Sequence, residues 1–259
     1  MRNIEQLNIE REDPILDQDD EKEATKEERI NTESFLADLK ERGSKFFDSE
    51  GVKKGLLEKG IEHEDVQVAT DLMSCIASIN ESLGIKEDLS LNFSISQNEF
   101  GDVAGFSSSD KEKDGYVVYA RGISSNILES IHKIPQVDDK GFPVGGYSDW
   151  DKPTMEEILI STATHEARHR LQHHKSSIIN PEKIKKYDNN LLRSVAKYVN
   201  LIFEEEIKQY HREKRSEEYI EHKTNRSEFD ARVIEVMTLI KLHSGTTKED
   251  LQGLLNLQG

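Results

Sequence analysis

The chain is short of cysteine, of apolar side chains and of positive charge, and each shortage narrows what it can be. One cysteine, Cys75, stands among 259 residues, so no disulfide can form within the chain. Cys75 falls on an apolar stripe of helical spacing, which reads as a small core residue rather than a nucleophile. Only 34% of the residues are hydrophobic while 33% are charged; a modest core is expected, with part of the chain outside it. There is no run of ~18 apolar residues to cross a bilayer, and the N-terminus MRNIEQLNIEREDP lacks the apolar stretch of an export signal. A cytoplasmic location and no membrane partner are therefore expected. Basic residues number 35 against 51 acidic ones, a net charge of -16. Such a surface repels phosphate backbones, so no nucleic-acid partner is expected.

What is present begins with the acid-rich run DQDDEKEATKEER within residues 1–33. It has too few large apolar side chains to offset the entropy of ordering, and reads as a disordered tail or a solvated helix. Phe35, Leu36, Leu39, Phe46 and Phe47 then mark one or two short amphipathic helices between Ser34 and Leu57. Ala69, Leu72, Ile76, Ile79 and Leu83 recur at helical spacing, and Gly84 stands where a left-handed C-cap is wanted. The period next falls to two: Leu89, Leu91, Phe93 and Ile95 alternate with Ser90, Asn92 and Ser94, the pattern of a half-buried strand. Val103 to Ser107 and Tyr116 to Ala120 read as further strands. A short helix around Asn126 to His132 leads into a Gly-, Pro- and Asp-rich loop from Pro135 to Asp151, with the only tryptophan, Trp150. Further on, Leu192, Val195, Val199, Ile202 and Phe203 form the stripe of a long helix from Leu191 to Tyr210. Val233 to Leu242 is a strongly apolar helix, and a last helix starts from a capping box at Thr246 or Thr247.

Between the loop and the long helix lies ILISTATHEARHRL, Ile158 to Leu171. Thr154 and Glu157 form a capping box at its start. His165 and His169 are four residues apart, about 400° of helical rotation, so both imidazoles sit on one face a turn apart and can hold one metal ion. Zinc takes nitrogen ligands in tetrahedral geometry, and a catalytic site keeps one position for water, so one further protein ligand is needed. Glu166 lies about 100° round the helix, off the ligand face but near the open position, where a carboxylate can take a proton from water. The chemistry indicated is metal-assisted hydrolysis. His173 also stands near this face but two turns away, and reads as a surface residue.

These residues resemble the zincin metallopeptidases. Thr162, Ala163, Ala167 and Leu171 fit that family's extended pattern around the two histidines, whereas Arg168 and Arg170 stand where uncharged side chains are usual. The two arginines have surplus carboxylates of this chain, or a substrate carboxylate, as possible partners. The metzincin branch needs Gly and His after the motif; Gln172 and Lys175 occupy those places. Downstream, Ser227-Glu228-Phe229-Asp230-Ala231 is similar to the second helix of gluzincins, where a glutamate is the third ligand. That resemblance implies a Zn2+ ion held by His165, His169 and Glu228, with Glu166 as the general base. Asp230 is the rival ligand, although Ser227 and Asp230 also read as a capping box; Glu218 and Glu221 are further alternatives. Arg232 takes the place of the family's aspartate, so the usual carboxylate partner of a zinc histidine is missing or comes from another residue. Tyr219, His222 and His243 are candidates to stabilise an oxyanion. In zincins a small sheet precedes the motif helix and its edge strand pairs with an extended peptide; Tyr116 to Arg121 is the best candidate for that edge.

The expectation is thus an α+β chain, mostly helical, with a small mixed or antiparallel sheet ahead of the motif helix, over residues 34–259 behind the acidic tail. The expected activity is hydrolysis of peptide or protein substrates with zinc. The alternative is a non-catalytic zincin-like interaction or regulatory protein whose metal is structural or absent.

Overall fold

The computed structural model describes residues 31–84, 90–94, 104–107, 115–125, 134, 136–137, 143–144, 151–174, 179 and 190–255. Most of the expected acidic tail, the helix around Asn126 to His132 and most of the loop with Trp150 lie outside these residues. The chain is mainly helical, as its periodicity predicts. Its first two helices begin where short polar side chains cap them. Asn31 accepts from the Ser34 amide at 3.0 Å and opens α1, Thr32–Gly43; Asp48 does the same for Gly51 and opens α2, Ser49–Glu58. Helix α3, His63–Ser82, is buried continuously from Leu72 to Asn80, and Gly84 follows it at φ 72°. Its polar residues survive burial by bonding back to their own helix: Thr70 donates to the Val66 carbonyl, Ser74 to that of Thr70 and Asn80 to that of Ile76. Cys75 is inside this stretch and burial pushes its thiol far above the usual range, so it is the inert core residue expected.

Three short strands follow, β1 Ser90–Ser94, β2 Ala104–Ser107 and β3 Gly115–Tyr119. They are hydrogen-bonded in the order β1-β3-β2, β1 parallel and β2 antiparallel to β3. This corrects one expectation: Tyr116 to Tyr119 pairs on both sides and has no free backbone edge for a peptide. Two-residue strands β4, Gln136–Val137, and β5, Pro143–Val144, pair separately. The Tyr116 hydroxyl donates to Asn80 Oδ1 at 2.9 Å, and Asp65 of α3 accepts from the amides of Gly122 and Ser124, so both ends of β3 are tied to α3.

The remaining helices are α4 Met155–His174, α5 Asn190–Arg212, α6 Glu217–Thr224, α7 Arg226–Ser244 and α8 Lys248–Leu255. Apolar side chains gather in two clusters. One joins α1, α2, α3 and β3 to Ile158, Leu159, Ile160, Ala163 and Ala167 of α4; the other joins α5 to α7 and Leu254 of α8, with Ile134 and Ile179. The predicted stripe of α5 enters the second cluster through Leu192, Val195, Val199 and Phe203. Each large side chain buried in this way is worth about 1.5–3 kcal/mol. Helix α4 packs on α3 and on α7, so the motif lies between the two clusters. Among the described residues no helix is long and apolar enough to cross a membrane.

The crossing of α1 on α3 depends on one missing side chain. A Cβ at Gly43 would overlap the carbonyl oxygen of Ser74, whereas one at Gly55 of α2 would meet nothing within 4 Å. Gly43→Ala should therefore destabilise the chain by about 1–3 kcal/mol, while Gly55→Ala should stabilise it by up to about 1 kcal/mol through helix propensity. Urea unfolding of the two variants measures both; equal and small effects would show that the helices separate there without cost.

Candidate metal centre

The motif helix starts as predicted, with the Thr154 amide donating to Glu157 Oε2 at 2.8 Å and the Glu157 amide to Thr154 Oγ1 at 3.2 Å. Its whole middle, from Glu157 to Arg168, is buried. The facing helix does not start as predicted. Asn225 caps α7, its Oδ1 accepting from the amides of Ser227 at 2.8 Å and Glu228 at 2.9 Å. Asparagine is among the strongest N-caps, so Ser227 and Asp230 form no capping box and their side chains are free to face α4.

Asp230 uses that freedom on Arg168. The guanidinium donates through Nε at 2.7 Å and through a terminal nitrogen at 2.9 Å, a two-pronged bond in which Asp230 is 0% exposed. Gln172 and the Ile179 amide donate to the same carboxylate. With its lone pairs so occupied, Asp230 does not stand among the imidazoles. Glu228 does. The Nε2 atoms of His165 and His169 are 3.0 Å apart; Glu228 Oε2 lies 3.5 Å from the first and Glu228 Oε1 3.3 Å from the second. Zinc bonds of about 2.0–2.1 Å at tetrahedral angles place ligand atoms about 3.3 Å apart, so each spacing is of the size a shared ion needs, with a different carboxylate oxygen facing each ring. Among the described residues this is the one cluster of three or more side chains suited to hold a metal ion.

A carboxylate partner for His165 comes from Glu235. It lies seven residues after Glu228, nearly two full turns, so both carboxylates share a face of α7. Glu235 Oε2 is 3.0 Å from His165 Nδ1 and 3.3 Å from an Arg232 nitrogen. Sequence reasoning stopped at position 232; the i, i+7 spacing of Glu228 and Glu235 was the signal that pointed further. Arg232 is held cationic by Glu235, Glu206 of α5 and Glu228, against the effect of burial.

Burial would lower the pKa of His165, but its hydrogen bonds to Glu228 and Glu235 carry it up to about 10. Burial would likewise raise Glu228, yet the two imidazoles hold it far below the usual carboxylate range. The space between these three groups therefore favours positive charge. Glu166 is different. Burial raises its pKa, offset in part by the two histidines, and its Oε2 has no hydrogen-bond partner among the described residues. A buried carboxylate oxygen without a partner costs stability unless it has a use.

The other candidates are placed elsewhere. Glu218 and Glu221 are exposed on α6, as is His222. His243 lies at the far end of α7 against Glu157 and Asp151. Tyr219 makes an edge contact with Tyr210 and carries Arg215 over its ring. The side chain of His173 is outside the described residues. Comparison with protein-family models, curated proteins and solved structures gives no match for this chain.

Breaking the two-pronged bond should cost more than the intact bond contributes. Asp230→Ala leaves the Arg168 cation buried and uncompensated and should cost about 3–5 kcal/mol, whereas Arg168→Met combined with Asp230→Leu should recover part of the loss. Equilibrium unfolding of the single and double variants checks this; a single variant within 1 kcal/mol of wild type, taken as roughly the noise of such effects, would contradict it.

Proposed function

We propose that the chain is a zinc-dependent hydrolase of peptide bonds, with His165, His169 and Glu228 as metal ligands and Glu166 as general base. The observation that carries this is the conjunction of two imidazoles and a carboxylate whose ligand atoms lie within 4.8 Å of one another with a buried carboxylate, Glu166, whose Oε2 has no hydrogen-bond partner among the described residues. A structural metal site has no use for such a base. Peptide as the substrate class rests on the resemblance of the motif and of the Glu228 segment to gluzincins.

When bound, zinc supplies Lewis acidity and a water of lowered pKa. The residues of the chain do the rest. His165, backed by Glu235, and His169 present Nε2 lone pairs, and Glu228 adds one negative charge. Glu166 takes the proton from the attacking water and returns it to the leaving amine. Its raised pKa suits that exchange, because a base is most effective when its pKa lies near the working pH.

Purified protein should hold about one zinc per chain, and His165→Ala and Glu228→Ala should each lose it. Zinc at about 100 times its dissociation constant should stabilise the wild type by about 2.7 kcal/mol, a rise in melting temperature of about 5–10 °C. Because zinc displaces protons from the imidazoles, its affinity should fall as pH is lowered, by about tenfold per pH unit for each proton displaced. Glu166→Gln should keep the metal but lose peptide hydrolysis by about 10²–10⁴. Elemental analysis, thermal melts and a peptide-library assay read these out. Wild type that takes up no zinc at neutral pH would sink the proposal, and a Glu166→Gln enzyme of full activity would remove Glu166 from it.

A further inference from the structure

His169 has its own orienting group, and it is neither a carboxylate nor a backbone carbonyl. Its Nδ1 lies 3.2 Å from Gln172 Oε1 and 3.3 Å from Ser227 Oγ. Oxygen and nitrogen of an amide side chain are told apart by their partners. One terminal atom of Gln172 sits 2.6 Å from Asp230 Oδ2 and 3.0 Å from the Ser227 carbonyl oxygen. Asp230 is already the acceptor of the Arg168 fork and of the Ile179 amide, and the other neighbour is a backbone carbonyl, so both accept. That end of the amide must be the NH2 group. The other end is then the carbonyl, which takes the Ser227 hydroxyl in a short contact and still faces His169 Nδ1. An acceptor there requires Nδ1 of His169 to carry a hydrogen, and its Nε2 then keeps a lone pair.

We infer that Gln172 is a positioning residue that locks His169 in the Nδ1–H tautomer, with its own orientation set by the buried Arg168–Asp230 pair. The chain of command runs Arg168, Asp230, Gln172, His169: a cation fixes an anion, the anion fixes an amide, and the amide fixes an imidazole. Two consequences connect with the site. His165 and His169 have their outward nitrogens committed as donors, to Glu235 and to Gln172, so both inward nitrogens can ligate one cation. Arg168, which departs from the zincin pattern, acquires a role at one remove from the metal. The inference about metal affinity rests on the proposed zinc site; the inference about the tautomer does not.

The test compares Gln172→Leu, Gln172→Met and Gln172→Glu with wild type by two readouts. Imidazole ¹⁵N shifts of His169 in the metal-free protein, at a pH where this ring is neutral, report its tautomer. Competition with a chelator reports zinc affinity. In wild type His169 should be protonated at Nδ1. In Gln172→Leu and Gln172→Met, the Nε2–H tautomer should appear, and zinc binding should weaken by about 10–100-fold. Gln172→Glu loses the amide donor to Asp230 and sets a carboxylate against it, so it should not restore the wild-type arrangement. If Gln172 serves packing alone, the Leu and Met variants will keep the wild-type tautomer, and that result overturns the inference. Should wild type bind no zinc, the metal site fails while the ¹⁵N comparison still decides the tautomer lock.

Discussion

Arg168 and Asp230 meet where α4 crosses α7, with two parallel hydrogen bonds and almost no contact with water. A pair buried so deeply adds little net stability, because desolvation of both charges offsets their attraction; its effect is to make every other register of the two helices costly. Slide α7 by one residue and an arginine and an aspartate are each left buried and alone. The ligand atoms of His165, His169 and Glu228 are drawn from these same two helices, so their spacing follows from this register. A metal site needs its ligands placed within a few tenths of an ångström, and such placement comes from rigid elements and supporting bonds rather than from the ligands themselves.

The surroundings make the constraint effective. Apolar side chains of α3, β3 and α4 lie on one side, and those of α5, α7 and α8 on the other. On α4 and α7 stand buried groups of both signs: Glu166, Arg168, Arg170, Asp230 and Glu235. Buried in this way, charges act strongly on one another. That is why Glu228 stays ionised between two imidazoles while burial pushes Glu166 toward its protonated form.

Helix positions and caps were legible in the sequence wherever a local rule governed them. The capping box at Thr154 and Glu157, the glycine after α3, and the stripes of α3 and α5 all follow from contacts within a few residues. The pairing of His165 with His169 belongs to the same class, since four residues on a helix suffice to define it. Contacts between helices were harder to read. Glu228 was singled out by resemblance, with Asp230 as the rival ligand; only the depth and rotation of α7 separate a carboxylate that faces imidazoles from one that faces Arg168. The cap at Asn225 was missed because Ser227 and Asp230 offered a plausible alternative two residues later, and that choice turns the whole face of the helix. The central position of β3 was equally hidden, because strand order is a property of the chain's path and not of any one strand.

Helical geometry also explains how the two arginines, foreign to the zincin pattern, fit beside it. Counting about 100° per residue from His165, Gln172 stands at about -20°, His169 at about 40° and Arg168 at about -60°, so all three turn toward α7. Glu166 and Arg170 stand at about 100° and 140°, on a different face. There the Arg170 guanidinium lies 6.0 Å from the centre of the Tyr116 ring, and Tyr116 is bonded to Asn80 of α3. One face thus carries the proposed ligands and their supports, and the neighbouring face carries the proposed base with a cation one turn along. Each arginine is buried against the element its own face meets, Arg168 on Asp230 of α7 and Arg170 on Tyr116 of β3. Charge within the motif is therefore compatible with a metal there, because the helix separates by rotation what the sequence places side by side.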